Sequence, residues 1–269
     1  MAWSDFVDWL DENKVVLIAV TCSVAGAGAT LLALRAWLQG PSCRSKARLD
    51  GKTVVITGAN TGIGKETARD LAKRGARVVM LCRDLDKARS AAEEINKETG
   101  STVGVYHLDL ASLESIRSTA AALRDTEPQI HVLINNAGVM MCPPGRTNDA
   151  SQCSSGRNQP LPFLLTLLLL DQMKAAAPSR IVNVSSIAHT RKGRMHWDDL
   201  HFTKSYDAKE AYCQSKLANV LFTQELAHRL RGKHYVCCLG SVTGSLHLHR
   251  KREKSHSIDE NGGRGWARA

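Results

Sequence analysis

Three things are missing or scarce in this 269-residue chain. It carries eight cysteines but no paired C-x-x-C arrangement, so neither a zinc site nor a disulfide scaffold is supported. Reduced thiols are the ordinary expectation. His247 and His249 alone are too few ligands for a metal, and none is expected. It has no internal repeat and no low-complexity segment, hence no sign of a repeat architecture. It is also short of acid, with 26 acidic residues against 36 basic ones and a net charge of +10. A polyanionic partner would follow only if that excess formed one surface. Half of it falls in residues 231–269, with eight basic and three acidic residues, so no nucleic-acid partner is expected. With 43% hydrophobic residues the chain is too apolar for disorder and too varied for a fibre. Its length suits one α/β domain with extensions, or two small domains.

Charge is absent altogether from Val15 to Leu34, twenty residues that would span about 30 Å as a helix. Trp9 and Trp37 flank this run, where aromatic rings suit a membrane interface. A cleaved signal peptide and a buried core helix are the competing readings. The segment before the run is acidic (Asp5, Asp8, Asp11, Glu12), which a signal peptide or a mitochondrial transit peptide would not be. The residues after it are basic (Arg35, Arg44, Lys46, Arg48). A single-pass anchor with the main domain on the cytosolic side is therefore the preferred reading.

Thr53 to Thr57 is a β-branched run that reads as a buried strand. Gly58-Ala59-Asn60-Thr61-Gly62-Ile63-Gly64 follows at once, then an amphipathic helix over Lys65 to Arg74 and a second strand over Ala76 to Cys82. A dinucleotide pyrophosphate must approach the backbone closely, which glycine allows, and the next helix offers free N–H groups and a positive dipole end. Alone, a glycine triplet is an ordinary tight turn; between strand and helix it is a specific signal. The spacing is G-x-x-x-G-x-G rather than G-x-G-x-x-G. Arg83 ends the second strand, where an Arg accommodates the 2′-phosphate of NADP and an acid would bind the 2′-hydroxyl of NAD. Asp84 beside it argues for NAD. Arg83 comes first after the strand, so NADP(H) is favoured; a solvated strand-end charge is the bland alternative.

Further strands are expected at Gly104 to Leu108, His131 to Asn135 and Arg180 to Val184, with a helix from Leu113 to Arg124. Strands alternating with helices make an α/β fold with a Rossmann-type, doubly wound parallel sheet. Tyr212 opens a helix running to about Arg231, and with Lys216 at i+4 it stands on one face of that helix. A phenol titrates near 10, and a nearby ammonium brings proton exchange toward neutral pH. A hydroxyl such as that of Ser186 can hold the same substrate oxygen. Each feature is weak alone, since surface helices carry Tyr–Lys pairs and Ser185-Ser186 also suits a helix cap. Behind an NADP-type glycine turn, in this order, they are specific.

These residues resemble the short-chain dehydrogenase/reductase family, through TGANTGIG (57–64), Asp109-Leu110, NNAG (135–138), NVSS (183–186) and YCQSK (212–216). More narrowly the chain looks like the membrane-anchored retinol dehydrogenases, through TGANTGIGKETA, LCRD, HLDLAS, LINNAGVMMCP, AAPSRIVNVSS and AYCQSKLANVLFTQEL. The resemblance implies NADP(H)-dependent interconversion of retinal and retinol, or of a related apolar aldehyde and alcohol. It implies an endoplasmic reticulum anchor with the catalytic domain facing the cytosol. In it Tyr212 is the acid/base, Lys216 lowers its pKa and holds the nicotinamide ribose, and Ser186 positions the carbonyl. Asp109 and Asn136 line the adenine side of the cofactor.

Two stretches depart from the family pattern. Residues 144–162 replace a segment in which the family places an Asn that supports a water in the proton relay. Ungapped counting puts Asn158 on that position. Pro160 and Pro162 move the expected helix start to about Leu161, so Asn158 falls outside the helix. Residues 231–269 lack the family's H-P-G turn, with one short strand expected at Tyr235 to Leu239 and a basic run at Arg250 to Lys254. The expected organisation is an anchor and linker (1–48), an NADP-binding domain (49–230) and a basic, disordered tail (231–269). The sheet is expected to be incomplete at its C-terminal end. Altered reading frame or splicing accounts for both stretches in this reading, and an impaired isoform with partial nucleotide or partner binding is the alternative to an active enzyme.

Overall fold

A computed structural model describes residues 3–39, 45–143, 160–191, 193–230 and 235–241. The uncharged run lies inside α1 (Trp3–Gln39). Its stretch Asn13–Arg35, 23 residues, is long and apolar enough to cross a membrane, and that apolar stretch is unburied by the rest of the chain. Val15, Ile18 and Leu31 are each more than 60% exposed, an arrangement that costs free energy in water and not in lipid.

The domain then alternates as its sequence pattern requires. β1 (Thr53–Thr57) leads into α2 (Gly62–Lys73), β2 (Arg77–Cys82), α3 (Leu85–Thr99), β3 (Gly104–His107), α4 (Leu113–Thr126) and β4 (Val132–Asn135). Beyond residue 159 come α5 (Pro160–Leu168), α6 (Leu170–Ala175), β5 (Ser179–Ser185), α7 (Ala188–Arg191), α8 (Ala208–Arg229) and β6 (Tyr235–Ser241). The strands form one parallel sheet in the order β3-β2-β1-β4-β5-β6. The order reverses between β1 and β4, which opens a crevice at the carboxyl ends of the strands.

Both faces of the sheet are covered, as a parallel sheet demands. Side chains alternate along each strand, so Val54 and Ile56 face one core and Val55 the other. The first core packs β1 and β2 against Ala68 and Ala72 of α2 and Ala88, Ala91, Ala92 and Ile95 of α3. Its alanines let those helices lie close. The second core joins Val55, Leu133 and Ile181 to Ile116 and Leu123 of α4, Leu165 of α5, Met173 of α6 and Leu226 of α8. Where β1 and β4 begin, His131 donates its backbone N–H to Thr53 O (2.9 Å) and its ring Nδ1 accepts from Thr53 N (3.1 Å).

Local chemistry sets the ends of the elements. Asp84, Ser112 and Asp207 cap α3, α4 and α8 with side-chain oxygens on backbone N–H groups. α8 begins four residues before Tyr212, the start its sequence suggested. The Asp207 cap sits three residues before Glu210, an acidic pattern suited to a helix N-terminus. α5 begins at Pro160, one residue before the expected start, with both prolines in its first turn. Asn158 lies outside the described residues, as do His247, His249 and Arg250 to Lys254. The strand expected at Tyr235 to Leu239 runs on to Ser241. It pairs with β5 from Ser179↔Tyr235 to Ser185↔Ser241, so the sheet continues past the boundary placed at Leu230.

Candidate active site

The glycine turn between β1 and α2 has no room for side chains where it matters. A Cβ on Gly64 would lie 2.4 Å from Gly58 O and 2.6 Å from Asn136 Nδ2. One on Gly58, whose φ is +65°, would lie 2.9 Å from Ala137 Cα. The turn is braced from β4. Thr57 Oγ1 accepts from the backbone N–H groups of Asn136 (3.0 Å) and Ala137 (2.9 Å), and Asn136 Nδ2 donates to Thr57 O (3.0 Å) and Gly58 O (3.1 Å). Thr61 caps α2 by backbone geometry without a side-chain hydrogen bond, which leaves that helix end to a ligand.

The turn forms one wall of a cleft of about 430 Å³ at the carboxyl ends of the strands. Gly58, Asn60, Thr61, Ile63, Gly64, Arg83, Asp109 and Asn136 all line it. Ala59 and Gly62 do not. Ala59 is fully buried in the core beneath the turn, and Gly62, with φ +55°, supplies the bend that starts α2. Sequence reasoning missed Lys87, which also lines the cleft. Lys87 stands one helical turn beyond Arg83, a second cation that spacing alone could have flagged.

Asp84 lines the cleft beside Arg83. Asp84 accepts from Lys87 N at 3.1 Å and pairs with Lys87 Nζ at 3.0 Å. Those bonds hold its carboxyl below the ordinary range and commit it to capping α3. Asp109 is likewise a turn-former, its Oδ1 accepting from Ala111 N (2.9 Å) before α4. Cys82 lies on the cleft floor, and burial pushes its thiol up, so it stays protonated and inert.

Tyr212, Lys216 and Ser186 stand outside that cleft lining, by the end of β5. Lys216 is 5% exposed and its Nζ donates to Val184 O (3.1 Å), with the Tyr212 ring centroid 5.6 Å away. Burial lowers the Lys216 pKa from 10.5 to about 8, so the group remains mostly an ammonium at neutral pH. Asn219, one turn on, donates to the same carbonyl (3.2 Å), and Ser185 Oγ donates to Lys216 O (2.8 Å). Ser186 Oγ accepts from Ala188 N (3.2 Å), which starts α7. That bond uses an acceptor lone pair and leaves the hydroxyl proton available to a substrate oxygen. Met140, Met141 and Ile187, next to the Asn136–Gly138 turn and to Ser186, are exposed apolar side chains.

The family model for short chain dehydrogenases matches residues 52–254. Human retinol dehydrogenase 13 is 53% identical over 223 residues, covering 82% of this chain and 65% of that protein. Human retinol dehydrogenase 12 is 54% identical over 200 residues, covering 74% and 63%. The chain thus spans just under two thirds of the length of these relatives. Among solved structures, an uncharacterised protein of Mycobacterium paratuberculosis superposes with a TM-score of 0.65 at 40% identity, covering 74% of this chain and 71% of that one. A metagenomic short-chain oxidoreductase in complex with NADP superposes with a TM-score of 0.60 at 29% identity, covering 73% and 83%. With its glycine turn, parallel sheet and Tyr–Lys helix, the chain belongs to the short-chain dehydrogenase family.

Proposed function

We propose that this chain is an NADP(H)-dependent oxidoreductase that interconverts retinol and retinal, or a related apolar alcohol and aldehyde. The observation that carries the reading is the pairing of a glycine-walled cleft with a Tyr212–Lys216 face beside it. The cradle fits a dinucleotide, because Gly58 and Gly64 leave backbone where side chains would clash and the α2 N-terminus faces the cleft. Arg83 supplies positive charge for a 2′-phosphate, while Asp84 is engaged by its cap and by Lys87. Asn60, Thr61, Asp109 and Asn136, which line the same cleft, would hold the remainder of the nucleotide.

The chemistry a bound nicotinamide supplies is a hydride, taken up at the carbonyl carbon of the substrate. Ser186 donates its free hydroxyl proton to the carbonyl oxygen and fixes its position. Tyr212 delivers the proton to that oxygen as the alcohol forms, and takes it back in the reverse direction. The Lys216 ammonium stands beside the phenol, and its charge favours the proton's departure. Met140, Met141 and Ile187 give the mouth an apolar rim suited to a hydrocarbon substrate. The names of the relatives favour a retinoid among apolar aldehydes.

α1 spans the endoplasmic reticulum membrane once, with the dehydrogenase domain on the cytosolic side, where its basic C-terminal flank belongs. A substrate that partitions into lipid then reaches the site from the membrane. The test is NADPH oxidation with all-trans-retinal by the purified chain and by Tyr212→Phe. Turnover by the first, reduced about a thousandfold or more in the second, is expected. No turnover by the unaltered chain, or equal turnover by both, would sink the reading.

A further inference from the structure

A chain of buried side-chain hydrogen bonds runs behind the site. Asn135, at the end of β4, donates from Nδ2 to Thr166 Oγ1 on α5 (2.9 Å) and to Asn183 Oδ1 on β5 (2.8 Å). Asn183 Nδ2 donates to Thr223 Oγ1 on α8 (2.9 Å). Each threonine spends its own proton on its own helix, Thr166 on Pro162 O (2.9 Å) and Thr223 on Asn219 O (2.6 Å). Both hydroxyls can therefore only accept from the asparagines, which fixes the orientation of both amides. All four side chains are buried.

On α8 the members of this seam continue the stripe that carries the site. Tyr212, Lys216, Asn219 and Thr223 recur at i, i+4, i+7 and i+11, one face of the helix. A buried helix face is ordinarily apolar, and apolar contact is non-directional, so it tolerates small axial slides. Replacing a buried polar pair with apolar groups of the same shape is often neutral or stabilising. The seam is thus poorly explained by stability and well explained by register. Its last bond, from Asn183 to Thr223, joins β5 to α8, and Asn219 shares the Val184 carbonyl with Lys216.

We propose that Asn135, Asn183 and Thr223 are positioning residues: their seam sets the axial register of α8 on β4 and β5, and so holds Tyr212 and Lys216 at the cleft mouth. This rests on the reading of Tyr212 and Lys216 as the catalytic pair. The register matters because a shift of about 1 Å in a reacting group can cost about a hundredfold in rate.

The test uses the full chain in detergent with Thr223→Ser, which keeps the hydroxyl, and Thr223→Ala, which removes it at similar volume. Two quantities are read: kcat and KM for NADPH with all-trans-retinal, and the pH midpoint of Lys216 acetylation in a competitive labelling experiment followed by mass spectrometry. The serine variant is expected to keep kcat within about threefold. The alanine variant is expected to lose about 10- to 100-fold in kcat with KM for NADPH nearly unchanged. Its Lys216 midpoint should rise as a displaced helix admits water. A purely structural seam would lower the melting temperature of the alanine variant and leave kcat and the Lys216 midpoint alone, which overturns the proposal. Should the alanine chain not fold, Thr223→Val, which keeps the volume, is read in its place. If neither folds, the seam belongs to stability and the positioning role is overturned. If the unaltered chain turns nothing over, the activity reading fails, and the Lys216 midpoints alone decide the seam.

Discussion

Replacing Lys216 with Met should make the protein more stable, and the gain should vanish in alkali. Lys216 is 5% exposed, and burial alone moves its pKa from 10.5 to about 8. At about 1.4 kcal/mol for each pH unit of that gap, the buried ammonium costs the folded state about 3 kcal/mol at pH 7. Below pH 8 the group is protonated in both folded and unfolded chains, so the cost is fully present. Between about pH 8 and 10.5 the unfolded chain binds the proton and the folded chain releases it, so stability rises with pH. Above 10.5 both forms are neutral and the cost is gone. Lys216→Met keeps the length of the side chain and drops the charge. The Val184 carbonyl keeps Asn219 as a donor, so little hydrogen bonding is lost. A gain of about 2–3 kcal/mol at pH 7 is expected, or about 4–10 °C in Tm for a domain of this size. Tryptophan-fluorescence melts of both chains at pH 7, 8.5 and 10 measure it, and taking the difference cancels every other titration. A Tm at pH 7 that is unchanged or lower, or a gap that persists at pH 10, would refute the reasoning.

Gly64→Ala should weaken NADPH binding by more than about tenfold in a fluorescence titration, and destabilise by about 1–3 kcal/mol, because its Cβ meets backbone at 2.4 Å. Gly100→Ala is the control: at φ +67° with open space around it, the cost is backbone strain of about 1 kcal/mol and NADPH binding is untouched. Arg83→Ala should cut the preference for NADPH over NADH by about 10- to 100-fold, the worth of a hydrogen bond to a charged group; an unchanged ratio removes Arg83 from the 2′-phosphate site. His131, whose Nδ1 accepts from Thr53 N, has its pKa lowered by burial. Stability should therefore be lost as pH falls from 6.5 through the lower folded value, and His131→Gln should flatten that limb of a urea-midpoint profile.

The glycine turn that walls the cleft was legible because geometry forces its residue types. Only glycine fits at 58 and 64, and β-branched residues suit the strand before them, so β1, α2 and β2 could be read from spelling alone. The Tyr212–Lys216 pair was legible from its i, i+4 spacing, although the helix start was not. The cap at Asp207 is one acid among several, and Tyr212 drew the boundary forward. Arg83 against Asp84 could not be decided from the sequence, because the choice turns on where a carboxylate is spent, and the engagement of Asp84 with the α3 cap and Lys87 is a tertiary detail. The seam of Asn135, Asn183, Thr166 and Thr223 was invisible for a related reason. Asparagine and threonine are ordinarily surface residues, and their burial comes from the pairing of β4, β5 and α8, which no local pattern encodes. Asn158 was placed by counting alone, with no partner in the sequence to anchor it.

These buried polar groups share a logic. A fold selected only for stability would fill the buried positions of α8 with leucine and valine; this one buries Gln214, Ser215, Lys216, Asn219 and Thr223 there. Four of the five are neutral and hydrogen-bonded, so their net cost is small. The fifth is a cation that costs the folded state several kcal/mol, and it is the one that stands over the Tyr212 ring. Two of the neutral members, Asn219 and Thr223, tie that helix to β5. A group destabilised by burial tends to relax toward water unless its neighbours hold it. Bonds that resist a slide of α8 are what keep Lys216 buried beside Tyr212, so removing the seam and removing the charge should each relieve the same stress by different routes. Lys216→Met should then stabilise the Thr223→Ala chain by less than it stabilises the unaltered one, with a coupling of about 0.5–3 kcal/mol in a double-mutant cycle. Simple additivity of the two effects would mean that the seam and the ammonium are energetically independent.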